Sequence, residues 1–260
     1  MQFDYGGIPA GYYDQILLGK DGPRKFWHWH KFNSVMRMIT AERTRMRLLD
    51  VGCFSGSFAG RFLSESLFES TSLDILPAQI TYAKERFETA TRRFKHYDGF
   101  HKLVEAAGTE PFDVVTLIEV IEHLTPEQIR EFFLAIDRLT RPGSQVIVST
   151  PNYVSVWPVL ELILNQISDV KYEEQHITKF SYWNFSGKLQ SIYPSFREQY
   201  EVELITTSHL LSPFVSAFNY RWAQAISKVI RPERWMAPFG ALVMMRLRKK
   251  QSPVLNSKER

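Results

Sequence analysis

The chain has 260 residues, 44% of them hydrophobic and 23% charged, which is enough for one sizeable core or for a core domain with an added cap. A single cysteine, Cys53, excludes an internal disulfide framework and any cluster of thiolate metal ligands. The formal net charge is +4, and much of the excess lies near the end of the chain, where a solvated basic tail at residues 251–260 is the simplest interpretation.

The first residues, "MQFDYGGIPAGYYDQ", lack the charged start and apolar run that are typical of a secretory signal. No apolar stretch reaches the roughly 18 residues that a membrane span needs. We therefore expect a cytoplasmic protein.

Short apolar runs alternate with stretches of helical periodicity, beginning after a helical N-terminal arm at residues 1–44. This alternation predicts a doubly wound α/β domain, in which a mostly parallel sheet is covered on both faces. The four runs that are typical of buried strands are residues 47–53, 70–76, 112–118 and 144–150.

The clearest helix follows "TPEQ". Thr125 can cap it, Pro126 suits its first position, Gln128 completes a capping box, and the helix should stop at "RPG", residues 141–143. Its predicted inward stripe is Ile129, Phe132, Phe133, Ile136 and Leu139.

Two more strands are predicted near the end of the chain, at residues 201–211 and 240–248, with the amphipathic segment 213–230 between them. No internal repeat or low-complexity tract is present. We expect one domain over residues 1–250, with a helical insertion or lid at residues 152–195.

The stretch "LLDVGCFSGSF", Leu48–Phe58, predicts a strand, a glycine turn and the start of a helix. Unpaired N–H groups at such a helix start lie where open α/β sheets bind ligands, and Gly52 and Gly56 allow a close approach to the backbone. Asp74 ends the next strand, where a carboxylate can accept hydrogen bonds from both hydroxyls of a ribose.

The glycine pattern lacks the G-x-G-x-x-G of dinucleotide sites and the Lys-Ser/Thr of a P-loop, which disfavours NAD and ATP as cofactors. Asp50 would repel phosphate, but it could order the loop or face a cationic ligand.

Together with "SLDILPAQITYAKERF", "FDVVTLIEVIEHL" and "RPGSQVIVSTPN", this stretch resembles the successive signatures of class I S-adenosylmethionine (SAM)-dependent methyltransferases. The resemblance covers roughly residues 45–152 and implies SAM as cofactor, bound on a seven-stranded, mostly parallel, Rossmann-like sheet. The family usually has Gly where this chain has Phe54, which need not block the cofactor if its side chain turns into the core. The cofactor-binding residues that the resemblance implies are Asp50, Gly52 and Gly56 at the turn, Asp74 at the ribose, Asp98 near the adenine, and Ile118 and Glu119 along the methionine side.

Chemistry beyond cofactor binding is predicted in "EVIEHL", where the spacing of Glu119, Glu122 and His123 would place two carboxylates and an imidazole on one helical turn. Such a cluster could bind a divalent cation such as Mg²⁺ or supply a base. The O-methyltransferases of ubiquinone biosynthesis and the small-RNA 2′-O-methyltransferases, which this chain resembles, use a Glu-x-x-Glu-His cluster for a metal. His176 in "EEQHITKF" is the candidate fourth ligand. In the metal-free interpretation, His123 or His176 acts on the substrate or braces the loop.

The insertion bears on the choice of substrate class. Residues 152–170 are apolar with helical spacing, which indicates either a lid on the sheet or an interfacial helix beside a hydrophobic substrate. The basic, aromatic segment "PRKFWHWHKF", residues 23–32, could serve an RNA groove, but its helical spacing before the first strand favours a cover over the cofactor.

These observations predict a SAM-dependent methyltransferase that acts on the oxygen of a small or lipid-linked acceptor, with His123 as the first candidate base and His176 as the second. A small-RNA 2′-O-methyltransferase is the alternative enzyme, although nucleic acid is the less favoured partner. A methyltransferase fold that has lost catalysis and serves as a binding protein is the alternative of another class. Peripheral contact with a membrane is compatible with the lipid-linked acceptor.

Overall fold

A computed structural model describes residues 7–155, 176–210, 212–229 and 238–251. Seven strands form one sheet in the order β3-β2-β1-β4-β5-β7-β6. β7 runs antiparallel to both β5 and β6, and the other neighbouring pairs are parallel. The strands are β1 Met46–Val51, β2 Phe68–Asp74, β3 Arg92–His96, β4 Phe112–Ile118, β5 Thr140–Pro151, β6 Tyr200–Ser208 and β7 Leu242–Lys249.

Ten α-helices are present in the described ranges, and short 3₁₀ turns lie at Phe100–Lys102 and Ile121–His123. The helices are α1 Tyr12–Leu18, α2 Pro23–Met38, α3 Ser57–Phe62, α4 Pro77–Phe87, α5 Leu103–Ala107, α6 Pro126–Leu139, α7 Phe185–Ile192, α8 Phe196–Gln199, α9 Ser212–Phe218 and α10 Tyr220–Val229. The part of the chain that the structure describes contains no helix long and apolar enough to cross a bilayer.

Successive residues of the central strands contribute to opposite sides of the sheet, as strand geometry requires. Leu49 and Val115 belong to a core cluster with α5, α6 and α7, whereas Leu48 and Val114 belong to a second cluster with α2, α3 and α4. The predicted doubly wound, mostly parallel architecture is therefore confirmed.

The predicted α6 is confirmed in detail. Thr125 Oγ1 accepts the Gln128 N–H at 3.3 Å and Gln128 Oε1 accepts the Thr125 N–H at 2.9 Å, and all five residues of the predicted inward stripe are buried. The helix ends at Leu139, just before the predicted stop at residues 141–143, and "RPG" itself already lies in β5.

The described residues include only the two ends of the predicted insertion, which stays a prediction. Within residues 152–195, the described part contains α7 and the segment that precedes it. The predicted apolar helix at 152–170, including Val156, Val159, Leu160, Ile163, Leu164 and Ile167, lies almost wholly outside the described residues.

Candidate active site

The order of the strands reverses between β1 and β4, so the carboxyl ends of these two strands border a crevice of the kind in which open α/β sheets bind ligands. The turn after β1 and the turn after β4 both lie at this point. The predicted cofactor-binding and catalytic residues are distributed around it.

The glycine turn has a left-handed backbone at three positions: φ is +77° at Gly52, +48° at Phe54 and +74° at Gly56. A Cβ at Gly52 would lie 2.3 Å from Val120 Cγ2. Gly56 ends the turn as the residue before α3, and a Cβ there would lie 2.6 Å from Phe94 Cε1. Both glycines are therefore required by backbone conformation and by packing, whether or not a ligand also approaches them.

Asp74 connects the end of β2 to this turn. Its two carboxylate oxygens accept the Phe54 N–H at 2.7 Å and the Leu76 N–H at 2.9 Å. Burial raises the pKa of Asp74, while these N–H donors oppose that shift. Each oxygen retains a further lone pair, so the carboxylate that shapes the turn can also accept from a ligand hydroxyl.

Phe54 does not turn into the core, unlike the arrangement that would leave the cofactor site open. Its half-buried ring lies 4.8 Å, centroid to centroid, from that of Tyr13 in α1. The side chain therefore joins the N-terminal arm to the glycine turn.

The remaining predicted cofactor residues differ in exposure. Asp50 is buried and accepts the Thr116 hydroxyl at 2.6 Å, and burial raises its pKa to about 7, with the nearby Asp74 adding to the shift. Asp98 is exposed, and its Oδ1 lies 3.6 Å from His96 Nε2. Ile118 is buried at the end of β4.

The turn after β4 separates the two glutamates of "EVIEHL". Glu119 has a φ of +51°, and the following turn is 3₁₀ over Ile121–His123, so the prediction of one helical turn for all three side chains is wrong. Glu119 forms an ion pair with Lys31, a buried residue of α2.

Glu122, His123 and His176 do come together. One possible ligand atom from each lies within 4.8 Å of the others, and the two imidazole centroids are 5.0 Å apart. The Thr178 N–H donates to the Glu122 carbonyl at 3.0 Å, which fixes the segment carrying His176 against this turn. The structure does not bring Glu119 into the group.

Burial strongly shifts the pKa values of Glu122 and His176 in this cluster. It raises the pKa of Glu122 well above its ordinary value, and the neighbouring Glu119 adds to the shift. Burial lowers the pKa of His176 to about 3, and the Tyr153 hydroxyl lies 2.6 Å from its Nδ1. Glu122 Oε2 is buried without a hydrogen-bond partner among the described residues.

Sequence reasoning missed several residues that build the site. The sequence shows Lys31 only as part of a basic, aromatic helix, and its partner lies 88 residues away. Asn152 of "STPN" is fully buried; its amide donates to the carbonyls of Pro238 and Gly240 and accepts the Tyr182 N–H. Tyr153, whose hydroxyl contacts His176, likewise carried no sequence signal beyond its polarity.

The mostly parallel sheet and the crevice after β1 and β4 are typical of doubly wound, Rossmann-like folds. The methyltransferase-domain family profile matches residues 27–199, more than half of the chain, and the chain belongs to this family.

Curated relatives include ubiquinone biosynthesis O-methyltransferases. That of Rickettsia conorii is 26% identical over 153 residues, which cover 57% of this chain and 50% of that protein. The mitochondrial one of Schizosaccharomyces pombe is 29% identical over 146 residues, or 49% of this chain and 51% of that protein. The chain thus spans about half the length of these relatives.

Solved structures share the fold at low identity. A SAM-dependent methyltransferase from Archaeoglobus fulgidus superposes with a TM-score of 0.56 at 19% identity and covers 92% of this chain and 100% of that one. The plantazolicin methyltransferase BpumL in complex with SAH gives a TM-score of 0.59 at 17% identity, over 92% of this chain and 88% of that one.

Proposed function

We propose that the protein transfers the methyl group of SAM to an oxygen of a small or lipid-linked acceptor. The observation that carries this proposal is the position of His123, which lies in the turn after β4 beside Glu122 and His176. The turn after β1, with Gly52 and Gly56, would bind SAM at the neighbouring strand end together with Asp74 at the end of β2.

SAM is a cationic sulfonium, so methyl transfer is an in-line displacement that depends mainly on holding the acceptor oxygen close to the methyl group. A base that takes the proton of the acceptor hydroxyl assists this step. We assign that role to His123. His176 is the weaker candidate, because its lowered pKa makes its ring a poor proton acceptor at neutral pH.

The match to ubiquinone biosynthesis O-methyltransferases supports an acceptor that is methylated on an oxygen atom. The RNA alternative has less support, because two lysines of the basic helix α2 are neutralised within the chain: Lys31 by Glu119 and Lys25 by Asp21. The acceptor test is incubation with methyl-labelled SAM and separate lipid, small-molecule and RNA fractions. Label in the lipid or small-molecule fraction supports the proposal, and label confined to RNA contradicts it.

A bound divalent cation is the second candidate for activating the acceptor hydroxyl. It is favoured because Glu122 Oε2 is buried without a hydrogen-bond partner among the described residues, and because the cluster offers donors that suit such an ion. Glu122, His123 and His176 would hold it. When bound, a cation would lower the pKa of the acceptor hydroxyl. Glu119 does not belong to this set, since Lys31 already neutralises it.

Chelation and mutation together test the base. With His123 as the base and no cation, turnover survives EDTA, and His123→Ala lowers kcat by roughly a hundredfold or more while SAM binding is retained. The matched control is His101→Ala, an exposed histidine outside the cluster, which should leave turnover unchanged. Loss of turnover in EDTA with recovery in Mg²⁺ or Mn²⁺ would instead favour the cation.

The third possibility, a fold without catalysis, rests on Phe54 in place of the usual glycine. It predicts that the wild type neither binds SAM nor labels any fraction. Binding of SAM without labelling would leave the acceptor to be found among other chemical classes.

A further inference from the structure

Lys31 is a buried cation beside the turn after β4. It lies in α2, its side chain is 8% exposed, and its ammonium group forms an ion pair with Glu119. Its Nζ lies 5.1 Å from the centroid of the Phe32 ring. A lysine that is removed from water in this way needs an anion beside it, which Glu119 provides.

The charge of Lys31 also acts on groups other than Glu119. Burial raises the pKa of Glu122, Glu119 adds to that shift, and the charge of Lys31 opposes it. Burial lowers the pKa values of His28 and His209, and the charge of Lys31 adds to both shifts. The ammonium group is therefore close enough to the second glutamate of the turn to influence it.

Two contacts hold Glu119 in its observed position. Lys31 pairs with its carboxylate, and its N–H donates to the Ser149 carbonyl at 2.9 Å. Its φ of +51° is a strained conformation that persists only where the surrounding structure fixes it. Lys31 therefore keeps a second carboxylate away from the candidate cation ligands, although carboxylates are ligands that Mg²⁺ and Mn²⁺ prefer.

Either of two positive charges can compensate the buried carboxyl group of Glu122. Its side chain is 1% exposed, and its Oε2 has no hydrogen-bond partner among the described residues. An ionised carboxylate that is buried so deeply requires a cation nearby. Lys31 already supplies one positive charge. A divalent cation bound by Glu122, His123 and His176 would be repelled by it.

We propose that Lys31 competes with a divalent cation at the turn after β4, so that the N-terminal arm determines how tightly this three-residue cluster binds the ion. With Lys31 in place, the ammonium group holds Glu119 and repels a second positive charge. Without it, Glu119 is freed to join the cluster, and the site then offers two carboxylates and two imidazoles. The inference rests on the proposed function only for the chemical role of the cluster.

Titration of the full chain with Mn²⁺ tests this inference in the absence of SAM and acceptor. The EPR signal of free Mn²⁺ is lost on binding and so gives the affinity. Lys31→Met should bind Mn²⁺ more tightly than the wild type by roughly tenfold or more, because a like charge is removed and a carboxylate is released. Lys31→Arg keeps the positive charge and should show no gain in affinity.

Two double variants locate the gain in affinity. Lys31→Met, Glu122→Gln should lose the gain, because the cluster then lacks its carboxylate. Lys31→Met, Glu119→Gln should keep only the part that comes from removing the ammonium charge, so its affinity should lie between those of the wild type and Lys31→Met. Lys25→Met is the matched control, since it removes a more exposed lysine from the same helix and should bind Mn²⁺ like the wild type.

Thermal melts provide a second measurement that does not require Lys31→Met to be as stable as the wild type. An ion that binds only the folded state stabilises it. Mn²⁺ should therefore raise the melting temperature of Lys31→Met more than that of the wild type, and it should refold this variant if the metal-free form is unfolded. Lys31→Met, Glu122→Gln should show no such difference from the wild type.

Any of three results would overturn the proposal. Lys31→Met could bind Mn²⁺ no more tightly than the wild type and show no larger rise in melting temperature, Lys25→Met could show the same gain, or the gain could survive Glu122→Gln. None of these measurements detects methyl transfer, so failure of this inference and failure of the proposed activity are distinguishable.

Discussion

Gly52 and Gly56 carry two constraints at the residue scale, a left-handed backbone and a neighbour in the space of a Cβ. We expect Gly52→Ala and Gly56→Ala each to lower the free energy of unfolding by roughly 2–5 kcal/mol, the sum of backbone strain and overpacking. Gly143→Ala is the matched control: its φ is +88°, but nothing lies within 4 Å of the added Cβ, so only the strain of about 1–2 kcal/mol applies. Urea unfolding measures all three. An equal loss of stability in all three variants would show that packing around the glycine turn contributes nothing to stability.

Asp50 makes stability depend on pH through its raised pKa. Its pKa in the folded protein is about 7 and its ordinary value 3.8, so the stability it contributes is full below the ordinary pKa and is lost as pH rises toward 7. We expect Asp50→Asn, which mimics the neutral form, to gain stability relative to the wild type over this range and to keep that gain at higher pH. Urea unfolding without SAM, at a series of pH values, measures the difference.

Asp113→Asn provides the comparison of opposite sign. Hydrogen bonds and charge from Arg141, together with the Arg47 N–H, lower the pKa of Asp113 despite its burial. Its contribution is therefore present above the ordinary pKa and lost as pH falls through the folded value. The variant should be less stable than the wild type at neutral pH and should approach it in acid. The same pH trend in both variants would contradict the assignment.

The predictability of the elements followed their burial. The central strands β1, β4 and β5 each contain a buried stretch with an apolar core, and α6 has a full capping box, so the sequence predicts them well. β3, with the sequence "RRFKH", was missed because it is an edge strand that buries only Arg92 and Phe94 of its five residues. The stop of α6 before "RPG" was predicted, but the start of β5 at Thr140, directly after the helix, was not.

The site was less predictable than the fold because its contacts join distant segments. Glycines and carboxylates at strand ends can be found from sequence, since parallel strands place their carboxyl ends at one edge. The Lys31–Glu119 ion pair, the Asn152 hydrogen bonds and the Tyr153–His176 contact depend on how the arm and the insertion pack. Spacing alone also could not reveal that Glu119 takes a left-handed conformation and leaves the cluster.

The ion pair between Lys31 and Glu119 attaches α2 to the turn after β4. Removing one partner of a buried pair leaves an uncompensated charge, so we expect Lys31→Met to lower the free energy of unfolding by roughly 3–5 kcal/mol. The double variant Lys31→Met, Glu119→Gln should recover much of that loss. Denaturant unfolding measures both.

Lys25→Met is the control for this pair, because Lys25 lies on the same helix and its bridge to Asp21, which precedes the helix, is more exposed than the Lys31–Glu119 pair. Lys25→Met should lower the free energy of unfolding by at most about 1 kcal/mol. A Lys31→Met variant as stable as Lys25→Met would mean that the buried pair does not stabilise the arm.

For the whole molecule, the central feature is the reversal of strand order between β1 and β4, which places the glycine turn beside the turn with Glu122 and His123. The N-terminal arm contacts both turns: Tyr13 packs on Phe54, and Lys31 pairs with Glu119. Cofactor binding and acceptor chemistry are therefore proposed for one crevice that the arm borders. Movement of the arm would affect both.

The most direct test of SAM binding in this crevice is a calorimetric titration of the wild type and Asp74→Asn with SAM. The substituted amide would keep an oxygen for the turn but lose the charge that favours a hydrogen bond from a ribose hydroxyl. We predict one SAM site in the wild type and binding about ten- to a hundredfold weaker in Asp74→Asn, equivalent to roughly 1.5–3 kcal/mol. Asp113→Asn, at the opposite end of the strands, should bind SAM as the wild type does. A wild type that does not bind SAM, or an Asp74→Asn variant that binds it equally well, would contradict the assignment of this crevice to SAM.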